Sequence, residues 1–201
     1  MAARVPRQER GEQRRDVLVA AAVEVVAAGG PVAFSARSVA AQSGLPLAAV
    51  SYYFPRLEDL LGAAIAVVVG GWVEHGATVV GALEAVAGGT GVELAAATLA
   101  DALLPPGDST AIRHRYEQLL ATASYPVAAA AMADLRPQLL ALVERVLDRT
   151  RTSSLIGEHG VIALLDGAAV GAVSENPETE ATATALRQQI VATVRLALRD
   201  R

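Results

Sequence analysis

The chain has 201 residues, 53% of them apolar, with 17 basic against 21 acidic side chains for a formal net charge of -4. That is enough apolar material for a buried core, and it excludes binding to a polyanion through overall charge, so any basic surface must be local. Cys is absent, which excludes disulfides, thiolate metal sites and cysteine nucleophiles, and every basic residue is Arg.

From the N-terminus, Leu18, Ala21, Ala22 and Val25 recur at i, i+3, i+4 and i+7, with Arg14, Arg15 and Glu24 off that stripe. This predicts an amphipathic helix, ended by Gly29, Gly30 and Pro31. Glu24 also interrupts the first apolar run, so no export signal is evident. Ser35 stands where an N-cap would satisfy the free backbone N–H groups of a helix of about two turns, SARSVAAQ, ending at Ser43 and Gly44. Pro46 suits the first turn of the next short helix, Leu47 to Tyr53, because its φ is already helical and its missing N–H costs nothing there.

Pro55 closes that helix. Leu57 to about Gly81 then reads as a long helix opened by Glu58 and Asp59, with Gly70 and Gly71 as points of bending. Further helices are predicted at about Gly91 to Leu104, Ser109 to Ser124, Pro126 to Thr150, Leu155 to Val173 and Glu178 to Arg199. Pro137 is expected to kink or split the helix that contains it. The uncharged stretch Gln118 to Ala133 falls short of the ~20 apolar residues a spanning helix needs, so a soluble protein without a membrane partner is expected. No strand is evident, and the fold class is all-α.

Two short helices joined by a glycine-containing turn, after a longer helix, make a helix-turn-helix whose second helix can lie in the DNA major groove. The stretch FSARSVAAQSGLPLAAVSYYFPRLEDLL adds residue type to spacing: Phe34, Ser35, Val39, Ala40, Gly44, Leu45, Tyr52, Tyr53, Phe54, Glu58 and Leu60. With these residues the chain resembles the tetracycline-repressor-like (TetR) family of transcriptional regulators over roughly its first third. The resemblance implies a helix-turn-helix DNA-binding domain at 1–56, with a basic N-terminal arm, and a helical ligand-binding and dimerisation domain at 57–201.

On the DNA side, Val50 and Phe54 lie four apart and should pack under the motif, leaving Tyr52 and Tyr53 to carry hydroxyls toward phosphates. Arg37 matches a family position that contacts DNA, and Ser35 caps the same helix. The recognition helix offers Leu47, Ala48, Ala49 and Ser51 to the bases. Readout should therefore lean on thymine methyl groups, one hydroxyl and DNA shape. Pro46, Leu47, Ala48 and Leu57 replace residues common in the family and remove potential donors. Arg56, next to Leu57, is expected to supply phosphate contact with the N–H groups of the following helix. The arm carries Arg4, Arg7, Arg10, Arg14 and Arg15 against Glu9 and Glu12, and it reads equally as a backbone-tracking segment or as a solvated tail.

From Leu57 onward 10 Arg stand against 17 Asp and Glu, which argues against a second DNA surface. Leu165, Ala168 and Ala172, then Leu186, Ile190, Val194 and Ala197, form apolar rows that read either as core or as an interface with a second copy. Gly167 and Gly171 lie about one turn apart, and the resemblance places this pair of helices at a homodimer interface. Candidate ligand contacts are Trp72, His75, Arg113, Tyr116, Glu117, Tyr125 and Met132, within surroundings of Ala and Val that suit a small apolar effector. Each of these also has a plain reading as core or surface.

No cofactor or metal is expected. Three separated His, no Cys, no phosphate loop and no nucleophile elbow argue against an enzyme. The expected function is a cytoplasmic, homodimeric, DNA-binding repressor released from a palindromic operator by a small apolar ligand. The alternative is a DNA-binding activator or scaffold without ligand response.

Overall fold

The computed structural model describes residues 7–107, 109–122, 125–175 and 181–201. Its helices are α1 (Arg7–Gly29), α2 (Ala36–Ser43), α3 (Leu47–Tyr53), α4 (Leu57–Ala85), α5 (Val92–Leu103), α6 (Ser109–Thr122), α7 (Pro126–Thr150), α8 (Gly157–Glu175) and α9 (Ala181–Arg195). Two three-residue strands, β1 (Thr152–Ser154) and β2 (Leu198–Asp200), pair antiparallel with Ser153 opposite Arg199. The chain is all-α apart from this ribbon. The ribbon was invisible in the sequence because three residues are too few to show an alternating pattern, and it takes the segment expected as the end of the last helix. The expected start of that helix, at Glu178, lies outside the described residues.

Two compact units result, and they do not follow the division expected at residue 56. The first comprises Met1–Val69 and Glu117–Met132. Its core is Leu18, Ala21, Ala22 and Val26 of α1, Val39 of α2, Val50 of α3, Phe54, and Leu60, Leu61, Ala64 and Ile65 of α4. Those four α4 residues explain the shift, since the opening turns of α4 belong to the core of the helix-turn-helix. Gln118 adds a second tie, donating from Nε2 to the carbonyls of Val26 (3.1 Å) and Ala27 (3.0 Å) near the end of α1. The Val26 carbonyl also accepts from the Gly30 N–H (2.8 Å), and both carbonyls lie in the last turn of α1, where intrahelical partners run out.

The second unit comprises Gly70–Tyr116 and Ala133–Arg201. α5 is its most buried element, with Ala95, Ala96, Leu99 and Ala100 fully enclosed. α4 approaches α5 closely at Gly76, where a Cβ would meet Leu142 Cδ1 at 2.6 Å and the Ala102 carbonyl at 2.8 Å. Asp200 of β2 accepts from the Val92 N–H (3.1 Å), and Gly91 N–H donates to the Thr150 carbonyl (2.8 Å). The ribbon therefore also caps the start of α5. At the end of α4, Arg149 donates to the carbonyls of Gly88 (3.1 Å), Gly89 (3.2 Å) and Val86.

Pro137 does not split its helix, and Gly70 and Gly71 do not interrupt theirs. α7 runs from Pro126 to Thr150 as one helix with Pro137 inside it, so the proline removes a hydrogen bond without ending the element. α4 is likewise one helix through Gly70 and Gly71. It is also long and apolar enough, by length and composition, to cross a membrane, with a mean hydropathy of 1.5 over 18 residues. The uncharged-stretch criterion missed this because scattered charges break the run. In the fold, Leu60, Leu61, Ala64, Ile65, Val69 and Val80 of α4 are buried by protein.

Candidate nucleic-acid interface and regulatory cluster

The helix-turn-helix is fixed by local chemistry. Ser35 accepts from the Ser38 N–H (3.0 Å), and Ser38 Oγ accepts from the Ser35 N–H (2.9 Å), a reciprocal cap at the start of α2. Ser35 is thus confirmed as an N-cap, and both of its partner groups are local. Gly44 turns the chain at φ 67° and ψ 11°, in the left-handed region where a Cβ is strained. Pro46 then sits at the N-cap of α3.

Within α3 the aromatics separate by face. Val50 and Phe54 are buried, Tyr52 is 75% exposed, and Tyr53 is half-buried. The Tyr52 and Tyr53 rings meet edge to face with centroids 5.0 Å apart. Leu47, Ala48, Ser51 and Arg37 are exposed, and Ala49 is half-buried. A groove of about 780 Å³ lies along α3, lined by Leu45, Pro46, Ala48, Ala49, Tyr52 and Tyr53 together with Gly11 and Arg14 of α1. Of the named candidates on α3, Ala48, Ala49, Tyr52 and Tyr53 share this surface, whereas Leu47 and Ser51 are exposed but do not line the groove.

Arg14 and Arg15 are where the structure adds most. From Arg7 onward the basic arm is helical, so the reading as a structureless tail does not hold for that part. Arg4, and the side chains of Arg7 and Arg10, lie outside what is described. Arg14 borders the groove beside α3, and Arg15 places its guanidinium carbon 4.7 Å from the centroid of the Phe54 ring. The two neighbours divide into one arginine for the surface and one for the fold, which sequence spacing alone could not distinguish. Arg56 pairs with Glu58 (3.3 Å) and approaches Asp59 (3.9 Å). These exposed contacts are weak, so a phosphate would compete with two carboxylates for Arg56.

In the second unit, four helices bring together a polar cluster. Tyr116 of α6 is buried and donates its hydroxyl to Asp166 Oδ1 of α8 at 2.9 Å. Arg115 lays its guanidinium carbon 4.3 Å from the centroid of the Trp72 ring, on α4. Arg136 of α7 acts on Asp166 through its charge. Burial raises the Asp166 carboxyl above its ordinary range, against the Tyr116 hydrogen bond and the two arginines that pull it down. Burial likewise raises the Tyr116 hydroxyl and lowers Arg115.

Of the seven expected ligand contacts, Trp72 and Tyr116 enter this cluster. His75 is engaged elsewhere: its Nε2 donates to the Asp101 carbonyl at 2.9 Å, a structural role. Arg113 lies in the same unit, whereas Glu117, Tyr125 and Met132 belong to the first unit, with Glu117 exposed. Arg115 and Asp166 were missed as ligand candidates. Their only signal was adjacency, Arg115 to Tyr116 and Asp166 to the glycine pair of α8.

A groove of about 540 Å³ runs between α5 and α9, with Ala97, Ile112, Val191 and Ala192 among its lining. Ion pairs bridge it at both ends, Arg195 to Glu93 (2.6 Å) and Arg187 to Asp101 (2.9 Å). None of the seven expected contacts lines it.

The expected interface rows are also redistributed. Leu165, Ala172, Leu186, Ile190, Val194 and Ala197 are buried within the chain, so they are core residues already and leave little surface for a second copy. The open face of α8 is Ala163, Gly167 and Val170, with Ala168 and Gly171 at its edges. A Cβ built at Gly167 or Gly171 meets nothing within 4 Å.

Neither a protein-family model nor a curated protein matches the sequence. Solved structures do. The multidrug binding protein EbrR complexed with proflavin is 27% identical over 88% of this chain and 99% of its own, with a TM-score of 0.60. Its ethidium complex gives 28% identity over 88% and 98%, with a TM-score of 0.57. A TetR transcription regulator from Haloarcula marismortui is 20% identical over 94% of this chain and all of its own (100%), with a TM-score of 0.63. A transcriptional-regulator candidate from Saccharomonospora viridis in complex with choline is 15% identical over 94% and 100%, with a TM-score of 0.69. At these identities the last two likenesses establish the fold.

Proposed function

Taking the chain as a TetR-family transcriptional regulator, as its fold and its helix-turn-helix sequence make it, we propose that it is a cytoplasmic homodimeric repressor, released from a palindromic operator by a small ligand. The observation that carries the DNA-binding part is the α3 surface. Leu47, Ala48, Ser51 and Tyr52 are exposed on a helix held by a capped α2, a left-handed glycine turn and a buried Val50–Phe54 face. A helix so exposed and so rigidly backed is suited to the major groove.

The homodimer rests on the uncovered small-residue face of α8 at Gly167 and Gly171, which lets a second helix approach to backbone distance. A two-fold pair of recognition helices matches a palindrome. Ligand response is supported by the small molecules named for the structural neighbours, proflavin, ethidium and choline. A ligand with different affinity for two conformations shifts DNA affinity by linkage and needs no chemistry of its own.

The test is selection of duplexes from a random library, followed by fluorescence anisotropy with the intact protein and Arg37→Ala at several salt concentrations. The expected result is an enriched palindrome, weakened by about 1 to 3 kcal/mol in the variant. No enrichment, with weak binding that the mutation leaves unchanged, would overturn the proposal.

A further inference from the structure

The second unit contains a guanidinium that is placed like a ligand-binding group and that forms no ion pair with a carboxylate among the described residues. Arg115 is half-buried, stacked on Trp72, and among the described residues it makes neither an ion pair nor a side-chain hydrogen bond. Several other described arginines of this unit do pair with acids: Arg145 with Glu84, Arg187 with Asp101, Arg195 with Glu93 and Arg201 with Asp148. Asp166 lies close enough to Arg115 to feel its charge, yet its Oδ1 is taken by the Tyr116 hydroxyl. Arg136 adds a second positive charge beside the same carboxylate. The cluster therefore holds two cations against one anion, next to an indole face.

Stacking a guanidinium on an aromatic ring leaves its edge N–H donors pointing outward in the plane of the fork, the geometry that grips a carboxylate through two parallel bonds. On the same helix as Trp72, Gly70 and Gly71 present no side chain, and a Cβ built at either meets nothing within 4 Å, so the approach beside the indole is open.

We propose that Trp72, Arg115 and Tyr116 form an effector site for an aromatic or apolar carboxylate, the carboxylate on the Arg115 guanidinium and the apolar body against Trp72. The effector role rests on the regulator reading above, whereas the binding site does not. Asp166 acts as the internal competitor: it holds Tyr116 in place and lowers anion affinity until a ligand supplies a better-placed negative charge. This class of ligand is opposite in charge to the cations proflavin, ethidium and choline found in the neighbours.

Trp72 is the single tryptophan of the chain, so its emission reports on this site alone. The full-length protein is titrated with p-tert-butylbenzoate, p-tert-butylbenzamide and p-tert-butylbenzylammonium, with affinity read by calorimetry and location by Trp72 emission. The carboxylate is expected to shift the emission and to bind about tenfold or more tightly than the amide or the ammonium. Arg115→Gln is expected to abolish that preference. Asp166→Asn is expected to raise carboxylate affinity, a gain that a misfolded variant cannot produce. Equal binding of the amide, preference for the ammonium, or a preference that survives Arg115→Gln overturns the site. Repeating the titrations with the selected duplex present separates the two proposals. A carboxylate that binds at Trp72 and leaves DNA affinity unchanged keeps the site and overturns its effector role. DNA release by a ligand that leaves Trp72 emission unmoved keeps the regulator and overturns this site.

Discussion

Arg15 and Phe54 show how a single contact can join two requirements. Phe54 is 3% exposed, and it belongs to the motif by sequence and to the core by position. The Arg15 guanidinium on its ring makes an arginine of the basic arm part of the fold. Phe54→Ala should cost about 3 to 5 kcal/mol of stability in urea unfolding, whereas Arg15→Ala should cost only about 0.5 to 1 kcal/mol because the ring stays buried without it. Gly44→Ala forces a Cβ into the left-handed region and should cost about 1 to 2 kcal/mol, read as a lowered melting temperature. Asp166 gives a pH dependence whose sign follows from burial. Its folded carboxyl is raised above the unfolded value, so its contribution to stability is present below the ordinary carboxylate range and is lost as pH rises through the folded value. Asp166→Asn keeps an acceptor for Tyr116 and removes the buried charge. The variant should be more stable than the parent at neutral pH, with the gap closing as pH falls toward about 4 in paired urea titrations.

At the scale of elements, the DNA-binding helices were legible because their punctuation is chemical. Ser35, Gly44, Pro46 and Pro55 each have a physical reason to stand where a helix begins, turns or ends, and all four helices of that region are present. What was not legible depends on distant partners. Gln118 reads as an ordinary polar residue in a helix, and only the fold shows it holding two carbonyls at the end of α1, 91 and 92 residues away in sequence. Gln118→Ala should therefore destabilise the helix-turn-helix unit by about 1 to 2 kcal/mol and speed hydrogen exchange in the last turn of α1, with α9 exchange unchanged. The interface rows failed for a related reason. A period of three or four reports that a helix face is covered, and Leu186, Ile190 and Val194 are covered by their own chain. Openness at Gly167 and Gly171 is a property of what is missing around them, which no pattern of residue types encodes. The polar cluster around Tyr116 was half legible: Trp72 and Tyr116 stood out as rare aromatics, while Arg115 gains its meaning only from its place against the Trp72 ring.

Across the whole molecule, charge is divided along the chain. The first 56 residues carry 7 Arg against 4 acids and the remainder 10 against 17, so the acidic total conceals a basic N-terminal segment. Binding to duplex DNA should weaken steeply with salt, and neutralising Arg14 beside α3 should reduce the salt slope by about one if it meets a phosphate. The same change should leave the selected base sequence as it was, since a phosphate contact carries no sequence information. The interleaving of the two units has a consequence for the newly made chain. Residues 117–132 complete the first unit, so it cannot close on the ribosome until they have emerged. The second unit closes later still, because β2, which pairs with β1, and Asp200, which caps α5, emerge after residue 132. A nascent chain stalled before β2 emerges would thus hold a closed first unit joined to an open second unit, so the two units close in order along the chain.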